Sequence, residues 1–297
     1  MVIKKTSRDS DGGIESMVMI SEAKNLYLEK YESVIQLPEW SLSGETRERF
    51  RKSPSRAAIV EIAGRDSVAA AIKAVREGSF TDLLPTYVFT GTERGSLKTV
   101  EDAVHRLSVQ LPDTRIHNLV IMGSSRFWQA LNGRFISELV ARFGFYSPCI
   151  GCHLYLHSAR IPLAALLGGV AIISGERESH DGQRKVNQTA EALETYRAFC
   201  SMFGISLVLP LQKVITGEEV EHILGFRWEE GKEQLGCVLS GNYRLLDGGI
   251  GPAPGQVARC LDEFIVPCTR QIVSAYLAGT VPESDEIAGK VLAQVGA

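Results

Sequence analysis

The residues with the richest chemistry lie in one short segment, where two cysteines stand three positions apart ahead of a histidine: Pro148-Cys149-Ile150-Gly151-Cys152-His153. A C-x-x-C pair can hold a metal, carry sulfur or exchange disulfides, because thiolates are nucleophiles and soft metal ligands. The segment also matches the C-x-x-C-H pattern of c-type haem attachment, but that chemistry belongs to exported proteins. The N-terminus lacks the apolar run of an export signal. Metal binding or persulfide chemistry is therefore favoured over haem, a thioredoxin-like pair or two inert buried thiols.

A third cysteine, Cys237, follows far downstream in the segment Leu235-Gly236-Cys237-Val238-Leu239. With His153 or His157, which lie one helical turn apart, three cysteines could close a tetrahedral zinc site. Buried cysteines commonly act as small apolar residues. We expect that role for the three remaining cysteines: Cys200, Cys260 and Cys268.

A second candidate site is a turn that follows an apolar run ending at Ala63-Gly64. Arg65-Asp66-Ser67 opens a helix there, with Ser67 as the predicted N-cap. The N–H groups and positive dipole end of a helix suit a pyrophosphate group. Neither a Walker A sequence nor a G-x-G-x-x-G turn occurs in the chain. A plain strand-to-helix turn is the alternative.

The elements that must position these residues begin at Ala57, where short β-rich runs alternate with longer amphipathic runs, as in a parallel sheet with crossover helices. Five strands are predicted: Ala57–Ile62, Pro85–Thr90, Asn118–Met122, Val170–Ser174 and Ser206–Leu209. Five helices fit between them: Ser67–Glu77, Leu97–Gln110, Arg126–Phe143, His153–Leu167 and Asn187–Phe203. The pattern predicts an α/β fold with a doubly wound, mostly parallel five-stranded sheet.

The pattern also divides the chain into three regions. Residues 1–56 are predicted to be an N-terminal extension with a helix over Ser21–Val34, and residues 57–211 form the ligand-binding domain. Residues 212–297 form a smaller helical region, with helices at Gly217–Leu224 and Gln256–Ala278.

The bulk composition sets limits on partners. The 297 residues carry 32 Lys and Arg against 35 Asp and Glu, a net charge of -3, so RNA contact would need a local basic patch. The longest apolar stretch, Ile161–Ile173, is too short to span a membrane. We expect a cytoplasmic protein without a membrane anchor. Its oligomeric state stays open, a homodimer included.

The turn resembles the S-G-G-x-D-S loop of the PP-loop ATP pyrophosphatases, which include tRNA thiolation enzymes. These enzymes split ATP between its α and β phosphates and adenylate a substrate. The resemblance covers roughly residues 57–211 and implies an adenine nucleotide alpha hydrolase-like fold. It implies that Asp66 lies near Mg²⁺, assigns the pyrophosphate cradle to Gly64, Arg65 and Ser67, and places Ala63 among the ATP-binding residues. Ile62 and Ala63 replace the family's first Ser and Gly, which removes a hydroxyl contact and restricts the backbone.

Two further segments resemble parts of that ATP site. Tyr87–Glu93 is similar to the segment that holds adenine, which implicates Val88 and Phe89. Ile173–Arg177 is similar to the turn near the α-phosphate, which implicates Gly175 and Arg177. The charged run that follows, as far as Lys185, is either a solvated loop or a mobile lid that supplies cations.

The P-C-x-x-C segment resembles that of the thiolation enzymes, most closely 2-thiocytidine synthetase, in which three cysteines hold a four-iron four-sulfur cluster with one open iron. Ser240 stands where that branch often has another cysteine. The resemblance implies ATP-dependent sulfur transfer to tRNA or a small molecule, from an unknown donor. The catalytic group would be Asp66, Cys149, Cys152 and Cys237, the three cysteines also binding the metal. Two alternatives are an amide- or nitrile-forming ligase with structural zinc and a nucleotide-binding protein without turnover.

Overall fold

The computed structural model of the protein describes residues 32–39, 41–78, 80–229 and 231–295. Most of the helix predicted over Ser21–Val34 lies outside these ranges. Its end is corrected, because Glu32–Ser33 forms a strand that pairs with a sheet strand from the middle of the chain.

Between residues 57 and 211 helices separate the five predicted strands, as expected. The described residues contain nine strands: β1 (Glu32–Ser33), β2 (Ala57–Glu61), β3 (Asp82–Val88), β4 (Glu93–Arg94), β5 (Arg115–Ile116), β6 (Val120–Ser124), β7 (Ala171–Ile173), β8 (Leu207–Val208) and β9 (Gly236–Cys237). They contain twelve α-helices: α1 (Gly44–Lys52), α2 (Arg65–Glu77), α3 (Lys98–Gln110), α4 (Ser125–Asn132), α5 (Ile136–Phe143), α6 (Pro148–Ser158), α7 (Ile161–Leu166), α8 (Ala190–Ser201), α9 (Gly217–Leu224), α10 (Pro254–Cys260), α11 (Val266–Leu277) and α12 (Ser284–Gln294). A π-helical segment, Leu261–Ile265, joins α10 to α11, and a 3₁₀ turn, Pro54–Arg56, precedes β2.

The main sheet has the strand order β1-β6-β3-β2-β7-β8, with β5 pairing β3. All its pairs are parallel except β1 with β6. The five predicted strands are confirmed in its parallel part, but the sheet has seven strands rather than five, because β1 and β5 were not predicted. The order of connection reverses between β2 and β7, and ligands bind at such a switch point in open α/β sheets. A separate antiparallel ribbon consists of β4 and β9.

Helices cover both faces of the sheet, so it is doubly wound. Ala57 and Ile59 of β2 pack in the cluster that contains α4, α6, α8 and the C-terminal helices. Ala58 and Val60 face the opposite cluster, which contains α2, α3 and α9. A strand apolar on both faces is typical of the centre of a parallel sheet. The described helices include none that is both long and apolar enough to cross a bilayer.

Three helix predictions need correction. The helix predicted over Arg126–Phe143 is divided at Gly133, which caps α4, and the one predicted to start at His153 begins at Pro148. Proline fits the first helical turn because its missing N–H has no intrahelical acceptor there. The π segment interrupts the helix predicted over Gln256–Ala278, and α12 was not predicted.

Candidate functional site

The turn after β2 lies at the switch point and leads directly into α2. Gly64 is the N-cap of α2, so the prediction that Ser67 caps the helix is wrong. The Ser67 hydroxyl lies in the first turn, where it accepts hydrogen bonds from the Ala63 and Gly64 amides, each at 3.0 Å. It also donates to the Gly64 carbonyl at 2.7 Å. Ser67 therefore closes the turn on itself.

Asp66 organises two arginines beside this turn. Its Oδ1 accepts from Arg65 Nε at 2.9 Å, and its Oδ2 accepts from Arg177 Nε at 2.9 Å. Arg177 is completely buried, at 0% exposure, although it belongs to a charged run. Three predicted site residues thus meet at one point. A metal at Asp66 would share a carboxylate that already bonds two guanidinium groups.

Gly175 brings the end of β7 against the start of α2. A Cβ atom at this position would lie 2.6 Å from both the Asp66 carbonyl carbon and the Ser67 amide nitrogen. Backbone atoms cannot yield to such a contact, so only glycine permits this approach. The two predicted turns are therefore neighbours.

The segment predicted as a charged lid is held to the body of the protein. Asp181 Oδ1 accepts from the Gly217 amide at 2.8 Å, which ties the segment to the start of α9. Arg177 NH2 lies 2.9 Å from His180 Nδ1. Burial, with Lys185 and Arg177 nearby, lowers the pKa of His180 to about 4, so its neutral ring can accept from Arg177.

A cavity of about 500 Å³, the turn cavity, lies over these groups. It is lined by the turn, the end of β7 and the charged segment: Ala63, Gly64, Asp66, Ser67, Gly175, Arg177 and Lys185 are among its walls. This arrangement is typical of an anion-binding site, because a helix N-terminus and several cationic side chains face the same cavity.

The three predicted cysteines line an adjoining cavity of about 250 Å³, the thiol cavity. Cys149 and Cys152 come from the first turns of α6, and Cys237 comes from β9. Burial, reinforced by Cys237, raises the pKa of the Cys149 thiol to about 11. Burial also raises the pKa of Cys152. Without a cation, both are neutral thiols at pH 7.

Within the described part of the chain, no three His, Cys, Asp or Glu side chains are arranged to hold a metal ion. The three thiols match the donor chemistry of an iron–sulfur cluster and share one cavity, but they do not form a closed ligand set. Cys200, Cys260 and Cys268 are buried among apolar residues, as predicted.

The two histidines considered as zinc ligands bond carboxylates. His157 Nδ1 lies 2.8 Å from Glu61 Oε1, and its Nε2 lies 3.5 Å from Glu176 Oε1. His153 Nδ1 contacts Glu176 Oε1. Burial alone would lower the pKa of His157, but Glu61 and Glu176 raise it to about 9. His157 is therefore a buried cation between two carboxylates.

Glu61, Glu176 and Arg160 are site residues that the sequence analysis missed. Burial would raise the pKa of Glu61, but His157 and Arg160 hold it below its usual value. Arg160 lies 3.3 Å from Glu61 through NH1 and donates from Nε to Thr86 Oγ1 at 2.7 Å. The sequence signal that could have identified Glu61 is its position as a carboxylate near the end of the otherwise apolar run Ala57–Ile62.

The segment predicted to hold adenine lies partly in the thiol cavity. Val88 lines that cavity. The Phe89 amide donates to the Met122 carbonyl, and its carbonyl accepts from the Tyr155 hydroxyl, each at 2.9 Å. Both backbone groups of Phe89 thus bond within the protein, and its role toward adenine stays a prediction.

These features define a doubly wound α/β protein with two adjoining cavities at the carboxyl edge of its sheet. No family model matches the sequence. Over 220 residues the chain is 42% identical to the uncharacterized protein MJ0009 of Methanocaldococcus jannaschii, covering 73% of this chain and 79% of that protein. The chain belongs to the same family as that protein.

Two solved structures show distant likenesses. One is a predicted subunit of tRNA methyltransferase from Methanocaldococcus jannaschii, with 13% identity and a TM-score of 0.39 over 77% of this chain and 90% of that chain. The other is the U34-tRNA thiolase NcsA from Methanococcus maripaludis with its [4Fe-4S] cluster, with 13% identity and a TM-score of 0.36 over 84% of this chain and 78% of that chain.

Proposed function

We propose that the protein is a PP-loop enzyme that uses ATP to adenylate an acceptor and then replaces the activated oxygen with sulfur. The acceptor is an RNA base, as in tRNA, or a small molecule. The observation that carries the proposal is the common wall of the two cavities. Six residues line both of them: Glu61, Ala63, His153, Leu156, Lys185 and Leu235.

In this proposal ATP binds in the turn cavity with its β and γ phosphates at the start of α2. The helix N-terminus and the guanidinium groups of Arg65 and Arg177 would neutralise the phosphate charge. Asp66 would ligate Mg²⁺ that arrives with ATP, once one arginine turns toward the phosphates. Gly175, which touches the turn, would keep the opposite wall close to the α-phosphate.

The reaction has two displacements. An oxygen of the acceptor attacks the α-phosphorus, the bond to the bridging oxygen breaks, and pyrophosphate leaves with the electron pair. A hydrosulfide sulfur then attacks the activated carbon of the acceptor, AMP leaves with the electrons of the carbon–oxygen bond, and the sulfur proton is released. Cys149, Cys152 and Cys237 would present that sulfur from the thiol cavity.

The same cysteines would hold an iron–sulfur cluster. With three thiolate ligands, a four-iron cluster has one iron with an open coordination position. The raised pKa of Cys149 is consistent with a thiol that ionises only when a cation binds.

Product analysis tests the proposal. Anaerobically purified protein, supplied with sulfide, ATP, Mg²⁺ and bulk tRNA or a small-molecule pool, should release AMP and pyrophosphate, as resolved by chromatography. The same release should be absent in Asp66→Ala. ADP as the main product, dependent on intact Asp66, would place the chain outside this mechanism.

A further inference from the structure

A side chain of the protein itself lies in the space where the proposed function puts phosphate. Gln234 Oε1 accepts a hydrogen bond from the Arg65 amide, at the start of α2, at 3.3 Å. A Cβ atom on Gly64 would lie 2.3 Å from the same oxygen, so the carboxamide rests directly on the glycine. Gln234 also lines the turn cavity, whereas it does not line the thiol cavity.

Gln234 reaches this position from a segment that is fastened on both sides. On the N-terminal side, Arg106 contacts Glu233 in an ion pair and stacks on Trp228, with its guanidinium carbon 4.8 Å from the ring centroid. On the C-terminal side, β9 pairs with β4, with Cys237 opposite Glu93. We call residues 231–237 the strap.

The strap also carries a thiol of the adjoining cavity. Cys237 lies three positions after Gln234, and its Sγ is 3.2 Å from Thr92 Oγ1 beside the β4–β9 ribbon. Leu235, between them, lines both cavities. Leu235 and Gly236 are the two residues between Gln234 and Cys237, and Cys237 is itself exposed.

We infer that Gln234 is an internal substitute for phosphate, which ATP must displace from the start of α2, and that this displacement frees Cys237 from the β4–β9 ribbon. The inference rests on the proposed function, because it takes ATP as the ligand of the turn cavity. The physical basis of the inference is competition between Gln234 and ATP for the same backbone N–H group. A carbonyl oxygen and a phosphate oxygen both accept from the same N–H, and the phosphate bond is the stronger because it is charge-assisted. The strap thus couples occupancy of the ATP site to the state of the thiol cavity.

Two substitutions at this position should change ATP affinity in opposite directions. Gln234→Ala removes the competing acceptor, so we expect ATP to bind about 2- to 10-fold more tightly, the worth of one neutral hydrogen bond. Gln234→Glu supplies a carboxylate that bonds the helix start and its arginines more strongly, so we expect affinity to fall at least about 10-fold. Lys232→Gln is the matched control, because Lys232 is an exposed strap residue whose ion pair is with Glu229, outside the strap.

Calorimetry with an ATP analogue that has a non-cleavable α,β bridge measures the affinities. Alkylation of Cys237 by iodoacetamide, followed by peptide mass spectrometry, reports on the strap. Cys237 is exposed in the wild type and should react without the analogue, and the analogue should raise that rate by releasing Sγ from Thr92 Oγ1. In Gln234→Ala, alkylation should be fast with or without the analogue.

Each result is decisive. Equal affinity of the wild type and Gln234→Ala would overturn the inference while leaving ATP binding intact. If the affinities follow the expected order but the analogue leaves Cys237 alkylation unchanged, Gln234 competes with ATP without affecting the thiol cavity. The coupling part of the inference would then be wrong. If neither the wild type nor Gln234→Ala binds the analogue, the proposed function fails and this inference with it. If Gln234→Ala binds the analogue and the wild type does not, the result would support the inference, because Gln234 would then block the phosphate position completely.

Discussion

His157 offers the sharpest test of the buried charge arrangement beneath the two cavities. The side chain is completely buried, and its two nitrogens face Glu61 and Glu176. The substitution His157→Gln keeps a polar side chain that can donate to Glu61, but it removes the positive charge. We expect it to destabilise the protein, because a carboxylate left without its cation in a buried site is costly.

The size and pH dependence of this effect follow from the pKa of His157, which is raised from 6.5 to about 9 in the folded protein. A rise of this size corresponds to about 3 kcal/mol of stability, as an order of magnitude. Because the folded pKa lies above the unfolded one, the contribution is complete below pH 6.5 and is lost as the pH rises through about 9. The deficit of the variant should therefore be largest near pH 6 and should nearly vanish by about pH 10.

Urea unfolding of both proteins at matched ionic strength, from pH 6 to pH 10, measures this deficit. His222→Gln is the control, because His222 is an exposed residue in the last turn of α9. We expect it to change the free energy of unfolding by less than about 0.5 kcal/mol at every pH. A His157→Gln deficit that is the same across the whole pH range would refute the assignment of His157 as a buried cation.

Three further substitutions test the cavities. Asp66→Ala should lower ATP affinity at least about 10-fold in calorimetry, since one carboxylate orders both Arg65 and Arg177; unchanged affinity would remove the turn from the ATP site. Gly175→Ala should lower the free energy of unfolding by about 1–3 kcal/mol, because the added Cβ meets backbone atoms, and a fully stable variant would contradict the close approach. Anaerobically prepared Cys237→Ser should lose the iron and brown colour expected of the wild type while keeping ATP affinity, and iron content equal to that of the wild type would exclude Cys237 as a ligand.

The parallel strands and the turn after β2 were predictable because their signals are local. An apolar run ending in Gly64 and followed by an amphipathic helix identifies a strand-to-helix turn without knowledge of the rest of the chain. The hydrogen bonds of the Ser67 hydroxyl were not predictable from such a local signal. A hydroxyl three residues inside a helix can turn back to the preceding amides, and hydrogen-bond direction is absent from a sequence pattern.

The residue at which β3 starts is set by its pairing with neighbouring strands, which a local sequence pattern does not reveal. The strand was predicted to start at Pro85, and proline usually begins a strand or lies on an edge. The strand starts at Asp82 instead, and Pro85 lies within it. Along one side β3 pairs with β5 through Leu83 and then with β6 from Thr86 onward, so Pro85 occupies the gap between the two pairings. That gap depends on two strands that come later in the chain.

A chain of hydrogen bonds and ion pairs links the walls of the two cavities. Glu176 contacts His153, which lines both cavities, and it also accepts from Gln188. Gln188 in turn contacts His180, whose other ring nitrogen faces Arg177, the partner of Asp66. Buried ion pairs add little net stability compared with apolar residues of similar size, because desolvation offsets their attraction. These contacts therefore matter for positioning more than for stability. They hold Asp66, in the turn cavity, in place relative to His153, in the wall of the thiol cavity. The two consecutive displacements of the proposed reaction would need that fixed relation, since the sulfur would have to reach the carbon whose oxygen had just been activated.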